Sequence, residues 1–206
     1  MKLKEIKNTM YFTKGHRGYL YLGEYKNKKV IIKTKRQESN AIGRIENEAN
    51  FLKLLNNKKI GPNFLYYDQK KDFLVYEYVE GEFFPIFLEH SNIKNMIIKV
   101  ITKVIMQCYK MDKLKINKEE MHHPYKHIII PKNKQPVMLD FERCHYAKES
   151  INVTQFSSYL ISNFMTDSLS RKGVKIDREK MITAAKTYKK EVNKKNLDRI
   201  ISLIKP

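Results

Sequence analysis

The sequence predicts an α+β protein in which a β-rich unit precedes a mainly helical unit. Short apolar and aromatic runs separated by turn-like segments fill the first eighty residues, as is typical of strands joined by tight turns. After Gly81 the apolar residues recur every three to four positions, which is typical of amphipathic helices. We therefore divide the chain into an N-terminal β-rich unit, residues 1–80, and a C-terminal helical unit, residues 81–206.

The β-rich unit is also predicted to contain one helix, and the helical unit is also predicted to contain one β-hairpin. Strands are predicted at residues 19–25, 30–33, 64–67 and 73–79. A helix beginning near Ile42 interrupts them, and it ends before Gly61. In the second unit, a long helix is predicted over residues 93–108, a short hairpin over residues 128–139, and further helices over residues 153–164 and 177–204.

The chain has a strong positive charge. It contains 41 lysines and arginines against 22 acidic residues, which gives a formal net charge of +19. Such an excess attracts polyanions, including RNA, DNA and nucleotides. A general bias toward lysine explains the same excess, and both interpretations stay open.

The sequence favours a cytoplasmic protein without membrane insertion. The charged N-terminus, MKLKEIKNTMYF, lacks the apolar stretch of a secretory signal. The longest apolar-rich stretch, residues 93–114, carries six charged residues and is therefore unsuited to a transmembrane helix. Cys108 and Cys144 have neither metal-site nor redox spacing, and we interpret both as small packing residues in a reducing compartment.

Three separated positions suggest a site for phosphoryl transfer. Lys33 ends an apolar strand, Glu48 in the following helix offers it an anion, and Asp140 follows a short hairpin beside Phe141. A carboxylate held at a strand end beside a buried aromatic ring is suited to a divalent cation. Taken alone, Lys33 also fits a strand-end lysine that extends into solvent.

A pair of glycines precedes these positions. Gly15 and Gly18 flank His16 and Arg17 between two predicted strands, where glycine would let the backbone approach phosphate groups. A two-glycine hairpin turn explains the same residues.

In this order the motifs resemble the protein-kinase-like superfamily, and in particular its minimal atypical members. These are the RIO kinases, the small kinase of the tRNA-threonylcarbamoylating complex and predicted archaeal Ser/Thr kinases. Residues 30–33 (VIIK) resemble the V-A-I-K strand, residues 60–62 (IGP) resemble the turn of the small kinases, and residues 76–81 (YEYVEG) resemble the hinge that receives adenine. The resemblance implies a bilobal kinase-like fold with a small antiparallel β N-lobe and a reduced helical C-lobe.

The resemblance also implies roles for individual residues. ATP would be bound by Gly15, Gly18, Lys33, Glu48 and the hinge residues Glu77 and Val79. Asp140 would hold Mg²⁺ or Mn²⁺. The expected activity is that of a serine/threonine protein kinase with a protein substrate.

The segment that replaces the catalytic loop departs from the family. The catalytic loop of the family has the pattern H-x-D-x-x-x-x-N, whereas residues 119–129 of this chain read EEMHHPYKHII. His127 stands where the metal-binding asparagine is expected, so the resemblance implies that it joins Asp140 at the metal, unless it merely packs. His122 stands at the spacing of the aspartate. We prefer Glu120 as the acceptor-orienting carboxylate, which requires a loop longer by two residues. The histidines at positions 122, 123 and 127 offer a zinc cluster as an alternative.

The second departure is Glu142, which replaces the glycine of D-F-G. It argues against a flipping activation loop and leaves nucleotide binding possible.

Two alternatives to a protein kinase remain, a small-molecule kinase and a catalytically impaired, nucleotide-gated protein that binds RNA or a ribonucleoprotein. For the RNA binder, the basic face would lie on the last helix and comprise Lys186, Lys189, Lys190, Lys194, Lys195 and Arg199.

Overall fold

A computed structural model describes residues 3–15, 18–35, 44–149 and 151–206. Within these ranges the chain contains seven α-helices, a five-stranded antiparallel sheet and three smaller sheets, which confirms the α+β class. The chain forms two compact units, Met1–Glu80 with Met138–Cys144, and Gly81–Val137 with His145–Pro206. The sequence-based division at residue 80 had left residues 138–144 in the second unit, whereas the structure places them in the first.

The first unit is built on the five-stranded sheet and one helix. Its strands are β1 (Lys7–Lys14), β2 (Gly18–Tyr25), β3 (Lys28–Lys35), β4 (Phe64–Asp68) and β5 (Phe73–Glu77), in the order β1-β2-β3-β5-β4. Helix α1 (Arg44–Asn56) follows β3, and a 3-10 turn at Leu3–Glu5 precedes β1. The hairpin between β2 and β3 turns through Lys26 and Asn27, both at positive φ, as a two-residue hairpin turn requires.

The register of the central strands separates two faces of the sheet. Leu20 pairs with Lys33, and Leu22 pairs with Ile31, so these four side chains share one face. The alternate residues Val30 and Ile32 face the other way. There they form an apolar cluster with Ile6, Phe73 and Val75. Alternation along β3 therefore places the Lys33 side chain opposite this cluster.

The second unit contains the other helices and the short strands. The helices are α2 (Phe84–His90), α3 (Lys94–Lys113), α4 (Asn152–Leu160), α5 (Asn163–Arg171), α6 (Arg178–Lys190) and α7 (Lys194–Ile201). The strands are β6 (Glu82–Phe83), β7 (Ile116–Asn117), β8 (Ile128–Ile130), β9 (Val137–Met138), β10 (His145–Tyr146), β11 (Lys175–Ile176) and β12 (Ile204–Lys205). The chain leaves this unit within β9 and returns at β10.

The predicted amphipathic helix is confirmed as α3. Its buried stripe consists of the predicted apolar residues from Ile97 to Cys108 and continues through Met111. Among the described residues, no helix combines the length and apolar character needed to cross a membrane.

The C-terminal helical prediction is wrong in one respect, because residues 177–204 form two helices instead of one. Asn193 lies in extended backbone, and its side chain accepts a hydrogen bond from the Asn196 N–H, which caps α7. The predicted basic face is consequently divided, with its first three lysines on α6 and the remaining three basic residues on α7. All six side chains are exposed. Ser162 caps α5 in the same way and ends the helical pattern of α4.

Candidate functional site

Lys33 is surrounded by carboxylates within the first unit. Its Nζ lies 2.5 Å from Glu48 Oε2, 3.1 Å from Glu142 Oε2 and 3.5 Å from Asp140 Oδ1. The residue is buried, because β3 is a central strand and the side chain leaves it on the face shared with Leu20 and Leu22. The interpretation of Lys33 as a lysine extending into solvent is therefore wrong.

Charge stabilises the ammonium in this buried position. Burial alone would lower the pKa of Lys33, but attraction to Glu48, Asp140 and Glu142 raises it well above its usual value. Glu48 is almost completely buried on the inner side of α1. A carboxylate in that position needs a cation, and Lys33 supplies it.

The segment that follows β9 is fixed to α1 through its backbone. The Asn47 side-chain amide donates to the carbonyl oxygens of Glu142 and Cys144, at 3.0 and 2.9 Å. Arg44 donates to the same Glu142 carbonyl at 3.3 Å, and the Phe141 N–H donates to Glu48 Oε1 at 3.4 Å. Helix α1 therefore positions both the partner of Lys33 and the acidic segment.

Phe141, which follows Asp140, lies close to Gly61 in the turn at residues 60–62. Phe141 is buried, and a Cβ on Gly61 would lie 2.9 Å from its ring and 2.6 Å from Leu52 Cδ1. Gly61 also has a φ of +82°, a conformation that glycine adopts readily. The turn at residues 60–62 is thus shaped by the packing of the aromatic ring beside the acidic segment.

Glu48, Asp140 and Glu142 form a carboxylate cluster. One oxygen from each lies within 4.8 Å of the others, and among the described residues no other trio of potential ligands meets this condition. Carboxylate oxygens suit Mg²⁺ and Mn²⁺, so the donor set fits the cation that the resemblance implies. Asp140 is the most accessible member, with 36% of its side chain exposed and a φ of +63°.

The same face of the sheet provides an apolar surface beside Lys33. Leu22 and Ile31 lie opposite each other on β2 and β3, and Ile31 pairs with Tyr76 on β5. Burial, with the nearby Glu48 carboxylate, raises the pKa of Tyr76, so its hydroxyl stays protonated. Leu22 is partly exposed on this face, whereas Ile31 is buried.

The predicted hinge begins at the end of β5. The Glu77 N–H donates to the Asn63 carbonyl at 2.9 Å, and the Tyr78 N–H donates to the Lys29 carbonyl at 3.0 Å. The Glu77 carboxylate accepts a hydrogen bond from the Asn63 side chain. Val79 follows at an intermediate level of burial.

Gly15 directly follows β1, and Gly18 is the first residue of β2. The Gly15 N–H donates to the Gly18 carbonyl at 2.8 Å, whereas His16 and Arg17 lie outside the described residues. A Cβ on Gly18 would lie 2.6 Å from the Thr34 carbonyl oxygen. Close strand pairing therefore accounts for glycine at position 18.

Glu120 and His127 belong to the second unit. Glu120 Oε2 lies 3.6 Å from His127 Nε2, and Glu120 has a φ of +73°. Backbone bonds from His123 to Glu120 and from His127 to Pro124 fold the segment into turns. The rings of His122 and His123 make an edge contact at 4.6 Å. Within the described residues, the three histidines do not form a metal-ligating trio, so the zinc alternative is not supported.

Two contributors to the site are not identified from the sequence. Glu142 is interpreted only as the replacement of a glycine, and Asn47 is given no role of its own, although it stands beside Glu48 on α1.

The chain was also compared with known proteins. Neither the protein-family models nor the curated proteins include a match to this sequence.

Proposed function

We propose that this chain is an ATP-dependent phosphotransferase with a protein-kinase-like bilobal fold, acting on serine or threonine of a protein substrate. The observation that carries the proposal is the buried Lys33, held by Glu48 and close to Asp140. These residues are far apart in sequence, and their order and types match the requirements of phosphoryl transfer.

Each residue has a distinct proposed role. Lys33 binds the α and β phosphates of ATP, and Glu48 fixes the direction of its ammonium group. Asp140 holds Mg²⁺ or Mn²⁺, which would neutralise charge on the phosphate oxygens. The backbone at Glu77 and Val79 receives the adenine ring, which rests on the partly exposed Leu22.

The acceptor side of the reaction is assigned to the second unit. Glu120 orients the acceptor hydroxyl and accepts its proton, and His127 lies next to that carboxylate.

The proposal is tested by ATP binding and phosphate transfer. Calorimetry of the full chain with ATP should show binding with Mg²⁺ or Mn²⁺, and Asp140→Asn should weaken it. Asp167→Asn, an exposed position on α5, serves as the control and should bind as the wild type does. Absence of ATP binding by the wild type with either cation would refute the proposal.

The acceptor is tested with γ-labelled ATP. A protein kinase should label itself or added protein on serine or threonine. Label found only on added small alcohols or sugars would replace the protein substrate with a small-molecule acceptor.

A further inference from the structure

Glu142 adds a third carboxylate to a site in which a single carboxylate would be enough to pair with Lys33. Its residue is buried, and its Oε2 lies 3.1 Å from Lys33 Nζ, although the two residues are 109 positions apart. Glu48 already contacts the same ammonium at 2.5 Å. Glu142 is therefore not needed to give Lys33 a single counter-ion.

The backbone of Glu142 is held so that its side chain stays in the site. Asn47 and Arg44 both donate to its carbonyl oxygen. The carboxylate consequently approaches Lys33 from a fixed main chain, and moving it away would require a rotation of the side chain. A glycine at this position would leave the ammonium with Glu48 and Asp140 alone.

The acidic groups of the site outnumber the ammonium that they share. The Lys33 Nζ lies within 3.5 Å of the three carboxylates of Glu48, Asp140 and Glu142, whereas the Arg44 guanidinium contacts the backbone of Glu142. A triphosphate that approaches Lys33 without a cation meets like charge at short range, in surroundings where screening by water is weak. A divalent cation bound with the nucleotide would cancel this repulsion.

We propose that Glu142 makes nucleotide binding dependent on a divalent cation, by competing with phosphate for Lys33. This inference rests on the proposed function, since it assumes that ATP phosphates bind at Lys33. Glu142 thus acts as a specificity-determining residue that excludes metal-free nucleotide. This effect requires the negative charge of Glu142, and a neutral side chain of the same shape would not produce it.

The test compares ATP affinity in excess EDTA and in Mn²⁺ by calorimetry. Glu142→Gln keeps the shape and removes the charge, so it should bind ATP in EDTA about tenfold more tightly than the wild type. Glu142→Asp keeps the charge and should retain the wild-type dependence on metal. Glu46→Gln changes the same charge elsewhere on α1 and should also behave as the wild type.

A measurement on the wild type alone provides a second test. In EDTA, adenosine carries no phosphate to be repelled and should bind at least as tightly as ATP. Should ATP bind the wild type in EDTA more tightly than adenosine does, the repulsion is absent and the inference is overturned, whether or not the variants fold.

The outcomes separate this inference from the proposed function. No ATP binding by the wild type with either cation removes both. Normal binding in Mn²⁺, together with a Glu142→Gln affinity in EDTA that equals or falls below that of the wild type, removes only the role of Glu142.

Discussion

The Lys33 ammonium and the Glu48 carboxylate lie 2.5 Å apart in a region where both side chains are nearly inaccessible to water. The contact joins a central strand to the only α-helix among the described residues of the first unit. Because neither charge can be solvated when its partner is lost, removing either residue should destabilise this unit as well as alter the proposed ATP site.

Lys33→Ala should destabilise the protein, in contrast to the neutral effect expected for a solvent-exposed lysine. The substitution leaves Glu48 and Glu142 buried without their cation, and removing one partner of a buried pair costs about 3–5 kcal/mol. Urea denaturation measures the loss. Lys28→Ala, on the same strand but exposed, should cost less than about 0.5 kcal/mol. A Lys33→Ala loss as small as that of Lys28→Ala would contradict the buried ion pair.

The stability deficit of Lys33→Ala should shrink as the pH falls. Burial raises the pKa of Glu48, and Lys33 opposes that rise in the wild type. Without Lys33, the folded state binds a proton at Glu48 more tightly than the unfolded state does, so protonation favours folding. Urea denaturation of both proteins at about pH 8 and about pH 5 should therefore show a smaller difference at the lower pH.

The wild type provides the reference for this pH series. The pKa of Lys33 is raised in the folded state, so its stabilising contribution is present below the usual pKa of 10.5 and lost only as the pH rises through the higher folded value. Lys33 should therefore cause no change in wild-type stability between the two conditions. A deficit that grows at the lower pH would contradict the assignment.

Gly61→Ala should destabilise the first unit through two separate effects. The alanine would have to adopt a φ of +82°, and its Cβ would contact Leu52 and the ring of Phe141. Gly173 is a matched control, because its φ is +72° and its nearest neighbour lies 3.6 Å away. Gly173→Ala therefore reports the conformational cost alone, about 1 kcal/mol. Thermal denaturation should show a larger loss for Gly61→Ala, and equal losses would exclude the contact with Phe141.

The sequence predicts the regular elements and the approach of Lys33, Glu48 and Asp140 to one another, but it does not predict every contact of the site. The consecutive apolar residues of β3 and the three-to-four spacing along α1 and α3 identify elements that are largely buried. The division between α6 and α7 is harder to recognise, because it depends on Asn193 acting as a cap within an otherwise helical pattern. The approach of Glu142 to Lys33 depends on tertiary contacts with α1, which no local pattern contains.

Asp112→Asn should destabilise the second unit. Asp112 Oδ1 accepts hydrogen bonds from the backbone and side-chain amides of Asn152, and Oδ2 accepts from the Val153 N–H and the Tyr188 hydroxyl. An asparagine at this position would direct an NH₂ group at donors. The expected cost is about 2–4 kcal/mol, measured by chemical denaturation. Asp167→Asn, at an exposed position, should be neutral, and an equally neutral Asp112→Asn would contradict the buried network.

Glu120→Gln should separate phosphate transfer from nucleotide binding. The substitution keeps the reach of the side chain and removes its ability to accept a proton. If Glu120 orients the acceptor hydroxyl, transfer from γ-labelled ATP should fall by about 10²- to 10⁴-fold, while ATP affinity measured by calorimetry is unchanged. Asp140→Asn should differ by weakening cation-dependent binding as well.

Glu119→Gln, at the neighbouring position, is the control for a general loss of charge. If Glu120→Gln transfers phosphate at the wild-type rate while His122→Ala is inactive, the acceptor-orienting role belongs to His122, and Glu120 serves the loop through its contact with His127.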